Sequence, residues 1–266
     1  MHRLDHQRLK RIVERLLAPW DRPGGPGMTL GLVVDDALAV HHSTGLASIE
    51  LDVPIGPGTT FRIASVSKQF TCAAILLLAA DGKLRVTDPV GDWLPGLPDI
   101  YRRITLDHLM RNTSGIRDML EIMRAGGVDL SQPCTQEDLL DGVCRQRALN
   151  FVPGSRFLYS NSNFMLLGQV AEKASGTSLR EFLDNRVFRP LGMNATRHAG
   201  NTTEPVPGLA TGYFPEPEGG WRRAVHHFPI HGEGGLVSCV EDLALWHHHL
   251  GSAQGRDIAA ALAEPK

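Results

Sequence analysis

Residues 61–84 read FRIASVSKQFTCAAILLLAADGKL, an apolar run that opens on a serine and a lysine three residues apart. Phe70, Ala73, Ala74, Leu77 and Leu78 fall at the 0, 3, 4, 7, 8 spacing of one helical face. No charge occurs between Phe70 and Ala80, so the helix is expected to be buried on most sides. Gly82 is placed to end it. Ser65 and Lys68, at the head of the run, share a face because side chains at i and i+3 are helical neighbours. Serine is a poor nucleophile at neutral pH, and a lysine one turn along can take its proton. Ser-x-x-Lys is a short pattern, and Ser65 could simply cap the helix while Lys68 points to water. A lysine heading a buried helix must, however, be solvated, paired or held neutral. The helix N-terminus could also aim its dipole and free N–H groups at a reacting carbonyl.

The chain has 266 residues, 42% hydrophobic and 21% charged, with a formal net charge of −2. That balance gives no general pull toward nucleic acid or an anionic membrane. The apolar stretch around Cys72 to Ala80 is too short to span a bilayer. The N-terminal MHRLDHQRLKRIVERLLAPW spreads charges throughout and shows no secretory signal. Leu9, Ile12, Val13, Leu16 and Leu17 instead make one helical face that Pro19 ends. Cys72, Cys134, Cys144 and Cys239 lack Cys-x-x-Cys spacing and read as reduced thiols of a cytoplasmic protein.

Pro23 to Gly27 is a loop. Met28 to Val34 and Ala37 to His42 read as two strands joined at Asp35 and Asp36. Thr60 to Ile63 is an extended lead into the Ser65 helix. Residues 81–230 read as mainly helical. Thr105 caps a short helix through Met110, and Ser162 or Asn163 starts another that ends before Gly176. Ser178 with Glu181 forms a capping box for a helix that stops before Pro190. Asn194 to Pro229 is loop-rich. Ser238 with Glu241 forms a second box, for a helix carrying Leu243, Trp246 and Leu250. A two-stranded hairpin is not a stable sheet alone, so further strands are expected from the C-terminal side.

A second cluster, Tyr159, Ser160 and Asn161, precedes a helix in PGSRFLYSNSNFMLLGQVAEKASG. A phenol at such a junction can relay a proton between nucleophile and leaving group. Read alone, the tripeptide is better explained by Tyr159 as a half-buried packing residue and Asn161 as a helix cap.

Taken in order, FRIASVSKQFT, LDHLMRNTSGI (Leu106–Ile116), VPGSRFLYSNSNFMLLG, VFRPLGMNAT (Val187–Thr196) and GEGGLVSCVEDLALW (Gly232–Trp246) resemble the serine hydrolases related to penicillin-binding proteins and class C β-lactamases. That group includes D-aminopeptidases and several esterases, and the resemblance runs from about Gly24 to Gly251. It implies an α/β (α+β) fold of the β-lactamase/transpeptidase kind, with an antiparallel sheet flanked by helices and a mostly helical subdomain. SVSKQFTCA is most similar to D-aminopeptidases. The resemblance implies that Ser65 is the nucleophile, Lys68 helps to deprotonate it, Tyr159 shuttles the proton and Asn161 binds the substrate's carbonyl. The Ser65 N–H would form half of an oxyanion hole. Whether Lys68 or Tyr159 is the base stays open.

The family's third motif, Lys or His, any residue, then Gly, is not found. His231 is the tempting candidate, but its third position is Glu233, and the following GGLVSCVEDLALW resembles a segment that precedes that motif. Residues 1–266 are therefore expected to be one truncated catalytic domain. Residues 1–80 would hold the first helix, hairpin and nucleophile helix, 81–230 the helical subdomain, and 231–266 the start of a return to the sheet. Such a chain is expected to be weakly active and unstable alone, since one oxyanion donor is worth about 3 kcal/mol. A cooperative melt with normal turnover would refute that.

His226, His227 and His231, and the run His247 to His249, lack His-Glu-x-x-His spacing, and consecutive helical residues point apart. No metal, cofactor, nucleic acid or membrane partner is implied, and the expected substrate is a small molecule or short peptide. An esterase, a β-lactamase or a non-catalytic ligand-binding relative remain alternatives.

Overall fold

Placement of the site begins with the buried helix. The computed structural model describes residues 5–128, 133–200, 203–225, 229–256 and 258. In order come α1 (His6–Leu17), β1 (Met28–Val34), β2 (Ala37–Thr44), β3 (Leu46–Ser48), β4 (Val53–Pro54), β5 (Phe61–Arg62) and α2 (Ser67–Ala80). Then follow α3 (Val90–Trp93), α4 (Leu106–Met110), α5 (Met119–Ala125), α6 (Gln136–Cys144), α7 (Asn161–Ser175), α8 (Leu179–Leu183) and α9 (Arg189–Leu191). The chain closes with β6 (Arg197–His198), β7 (Tyr213–Pro215), β8 (Trp221–Arg223), β9 (Leu236–Ser238) and α10 (Val240–Gly251).

Helix α2 is buried along its uncharged run from Phe70, as that run requires. Phe70, Ala73, Ala74, Ile75 and Leu78 are fully enclosed, and the helix packs mainly on α7. Phe70 meets Trp246 of α10 at 4.6 Å and Phe188 edge-on at 5.6 Å, contacts worth about 0.5–1.5 kcal/mol each beyond area burial. The helix ends at Asp81, and Gly82 takes the left-handed conformation at φ +70°. Its start differs from expectation: Ala64–Val66 form a 3₁₀ turn, so Ser65 lies one turn ahead of the α-helix. Ala64 is held at φ +45°, a strained value for a residue with a Cβ.

The hairpin forms at the expected strands, with Asp35 and Asp36 at φ 50° and 60°, the pattern of a type I′ turn. β2 continues past His42 to Thr44. Leu9, Val13 and Leu17 of α1 pack on Val40, Leu30 and Leu32. Ile12 and Leu16 stay exposed, because the hairpin is too narrow to cover the whole apolar face. The sheet is also split. β9, arriving from the C-terminal side, pairs not with the hairpin but with β5 and β6, all antiparallel.

Several helix ends depart from the sequence reading. α7 begins at Asn161, because Ser162 and Asn163 turn inward: the Ser162 hydroxyl takes the Met119 N–H (2.9 Å) and Asn163 bonds Ser114 and Asn112. Ser178 does accept the Glu181 N–H at 3.1 Å. The helical path does not stop before Pro190; a π turn (Asp184–Phe188) precedes α9, where a proline early in the first turn needs no N–H partner. The Ser238–Glu241 box does not form. The Ser238 hydroxyl pairs with Thr196 at 2.7 Å, and Glu241 faces His41 at 3.1 Å. Within the loop-rich Asn194–Pro229 stretch, β7 and β8 make a small hairpin.

None of the four cysteines is in a disulfide. Among the described residues, no helix is long and apolar enough to cross a membrane and no His, Cys, Asp and Glu group is set to hold a metal. His226 and His227 lie outside the described residues.

Candidate active site

The two sequence clusters meet because α2 and α7 pack side by side with their N-termini together. Ser65 Oγ lies 2.6 Å from the Tyr159 hydroxyl, and either can donate. Lys68 Nζ donates to Ser65 Oγ at 3.0 Å, to Asn161 Oδ1 at 2.9 Å and to the main-chain carbonyl of Glu233. It also sits 5.0 Å from the Tyr159 ring centroid and 5.2 Å from that of Phe164. Lys68 is buried, whereas Ser65 and Tyr159 are exposed. The structure thus brings together Ser65, Lys68, Tyr159 and Asn161, with the reactive hydroxyls open to a ligand and the amine sealed behind them.

A scaffold from the Asn112–Met119 stretch holds the Tyr159 segment. Asn112, at φ 55°, accepts the Ser160 N–H through Oδ1 (3.1 Å), and its carbonyl takes the Leu158 N–H (3.0 Å). Asp118 Oδ2 accepts the Asn161 N–H at 2.5 Å, while its Oδ1 takes the Leu120 and Glu121 N–H groups at the head of α5. The resemblance runs through Leu106–Ile116, which includes Asn112 but not Asp118, and local spacing gives neither residue a role. Their side chains accept from backbone N–H groups more than forty residues away, a range that local spacing does not reach.

The third wall is the turn from His231 to Gly235. Strand β9 pairs with β5, the extended lead into Ser65, and so draws this turn over the head of α2. The Gly232 carbonyl accepts from Thr71 (2.7 Å), and Leu236 N–H donates to Ser67 Oγ (3.1 Å). His231 does not face Ser65. Its ring packs on Gly168 of α7, with Nε2 3.4 Å from Glu172 Oε2, an ion-pair distance once the ring is protonated. The ring of His198 stands edge-on to it at 5.5 Å and is driven down to a pKa of about 4, first by burial and then by His231.

Gly232 is required by close approach: a Cβ there would lie 2.4 Å from the Phe164 carbonyl and 3.0 Å from Thr71 Cγ2. Gly232→Ala is expected to lower unfolding free energy by about 1–3 kcal/mol, read from urea denaturation. An unchanged midpoint would mean that the turn does not seat on α2 and α7 as described.

Residues 9–265 match the Beta-lactamase family. A D-aminopeptidase of Gluconobacter oxydans is 30% identical over 243 residues, 91% of this chain and 45% of the relative. Penicillin-binding protein 4* of Bacillus subtilis is 37% identical over 158 residues, 59% of this chain and 34% of the relative. An octameric penicillin-binding protein homologue from Pyrococcus abyssi superposes with a TM-score of 0.80 at 28% identity, covering 95% of this chain and 58% of that one. The chain spans less than half of the length of the two sequence relatives. Both the fold and the sequence likeness agree, and the chain belongs to the Beta-lactamase family.

Proposed function

We propose that this chain is a serine hydrolase that forms an acyl-enzyme on Ser65 and releases an N-terminal D-residue from small peptides or amides. The observation that carries the reading is the reach of one hydroxyl: Ser65 Oγ is 2.6 Å from Tyr159 and 3.0 Å from Lys68. With Lys68 neutral, its two N–H bonds can go to Asn161 and the Glu233 carbonyl, leaving its lone pair for the Ser65 O–H. Ser65 Oγ attacks the substrate carbonyl carbon while its proton passes to Lys68 or Tyr159. Asn161 orients the substrate, and the Ser65 N–H faces the developing oxyanion. The C–N bond breaks as Tyr159 hands a proton to the leaving amine, and the acyl group stays on Ser65. Water, deprotonated by the same pair, then cleaves the ester. The scheme balances with water as the sole co-reactant.

The D-aminopeptidase likeness over 91% of the chain supports the substrate class. Four cysteines without a disulfide agree with a cytoplasmic setting. We read residues 1–266 as parts of one catalytic domain, since a single core cluster joins α2, α7 and α10. The test is release of nitroaniline from D-alanine p-nitroanilide, with little from the L isomer. Faster turnover of a short nitrophenyl ester with no action on the D-anilide would reassign the chain as an esterase. Rapid opening of a cephalosporin would make it a β-lactamase, and binding without turnover a non-catalytic relative.

A further inference from the structure

Tyr159 is 43% exposed, so packing alone does little to hold its hydroxyl 2.6 Å from Ser65 Oγ. The main chain is gripped on either side of it, and both grips come from Asn112. The Leu158 N–H donates to the Asn112 carbonyl at 3.0 Å, and the Ser160 N–H donates to Asn112 Oδ1 at 3.1 Å. Asn112 can offer both acceptors to one segment because it stands just past α4 at φ +55°, a left-handed conformation that asparagine adopts more readily than most residues. Its own N–H bonds the Leu109 carbonyl (3.2 Å), and the Thr113 N–H bonds that of His108 (2.9 Å), which closes the end of α4. The side chain is also locked from behind. Asn163 Nδ2 donates to the same Oδ1 at 3.0 Å, Ser114 Oγ donates to Asn163 Oδ1 at 2.6 Å, and the Ile116 N–H donates to Ser114 Oγ at 3.1 Å. Asn112, Ser114 and Asn163 are all buried, so a shift of any of them would leave a polar group unpaired away from water.

We propose that Asn112 is a positioning residue for Tyr159: it holds the peptides before and after the tyrosine, and so sets the phenol where it can pass the Ser65 proton to the leaving group. This rests on the acyl-serine reading. The effect is indirect, through the placement of one hydroxyl, and displacement of a reacting group by about 1 Å can cost on the order of 10²-fold in rate. Loss of the Asn112 side chain should therefore fall on the step that needs a proton delivered, and spare a step that does not.

The test uses two methylphosphonate probes that leave the same group on Ser65 and expel different phenols. In each, a bond forms from Ser65 Oγ to phosphorus, the P–O bond to the phenol breaks, and the Ser65 proton ends on the departing oxygen or in water. Nitrophenolate leaves readily as an anion, whereas unsubstituted phenoxide gains from a donated proton. Labelling rates are read by intact mass for the parent, Asn112→Gly, Tyr159→Phe and the double variant. Glycine keeps the left-handed conformation and the main-chain carbonyl but removes Oδ1. Asn112→Gly is expected to slow the phenol probe about tenfold more than the nitrophenol probe, and that extra loss should vanish once Tyr159→Phe is present. Equal losses on the two probes, or an extra loss that persists without the Tyr159 hydroxyl, would make Asn112 merely structural and overturn the proposal. Absence of any adduct on the parent from either probe would instead sink the acyl-serine reading, and this proposal with it. Should Asn112→Gly fail to fold, Asn163→Leu decides, since it removes the amide that locks Asn112 Oδ1 and leaves Asn112 in place. The same selective loss on the phenol probe is expected; an unchanged ratio between the probes overturns the proposal.

Discussion

Ser65→Ala is expected to leave no fluorophosphonate adduct and to lower kcat/KM by on the order of 10⁴-fold or more, because neither neighbouring serine is open to take its place in the acyl-enzyme. Two neighbours limit the alternatives. Ser67, two residues on, is buried, and its Oγ is engaged by the Leu236 N–H at 3.1 Å. Ser160 is also buried, behind the Tyr159 loop. The parent should therefore gain one adduct by intact mass and the variant none. Stability should change by less than about 0.5 kcal/mol, since Ser65 is exposed and fills no core space. An adduct forming at the same rate on Ser65→Ala would place the nucleophile elsewhere and end the acyl-serine reading at this residue.

Lys68→Met should cut the acylation rate by on the order of 10³-fold, the middle of the range for a positioned general base. Methionine fits the apolar space beside Tyr159 and Phe164 but donates nothing. Asn161 Oδ1 and the Glu233 carbonyl then lose their donor, which costs about 1–3 kcal/mol where the acceptor stays buried. Tyr159→Phe makes the comparison. It removes the partner 2.6 Å from Ser65 while leaving Lys68 and its contacts in place, and the exposed ring means little change in stability. Burst-phase and steady-state rates on both variants separate the roles. If Lys68 is the base, its loss slows acylation more than the loss of Tyr159, and Tyr159→Phe affects amides with poor leaving groups more than activated esters. The reverse order would assign Tyr159 as the base.

Much of the frame was legible in the sequence because it follows from short-range rules. The uncharged run from Phe70 to Ala80 could only be a buried helix, and Thr105 could be read as a cap. Asp35 and Asp36 between alternating strands marked a hairpin turn. Failures occurred where a local rule met a stronger tertiary demand. Ser162 and Asn163 look like helix caps, yet they are drawn inside to satisfy backbone and side-chain groups of the Ser114–Met119 stretch. Ser238 and Glu241 look like a capping box, yet Thr196 and His41 take them instead. Ile12 and Leu16 sit on the expected face of α1, but a two-stranded hairpin offers too little area to cover them.

By itself, the sequence determined which groups could do chemistry: a serine and a lysine one helical turn apart, and a Tyr-x-Asn cluster at a second helix start. Tertiary structure alone decided that these clusters, separated by 94 positions between Ser65 and Tyr159, stand 2.6 Å apart. It alone placed Ser65 in a 3₁₀ turn before the helix and left His231 facing Glu172. It also brought the Glu233 carbonyl to Lys68 across 165 positions. The physical reason is range. Helix periodicity and capping act within a few residues, whereas burying the Lys68 amine requires hydrogen-bond partners around it, and only packing α2 against α7 and the β9 turn supplies them.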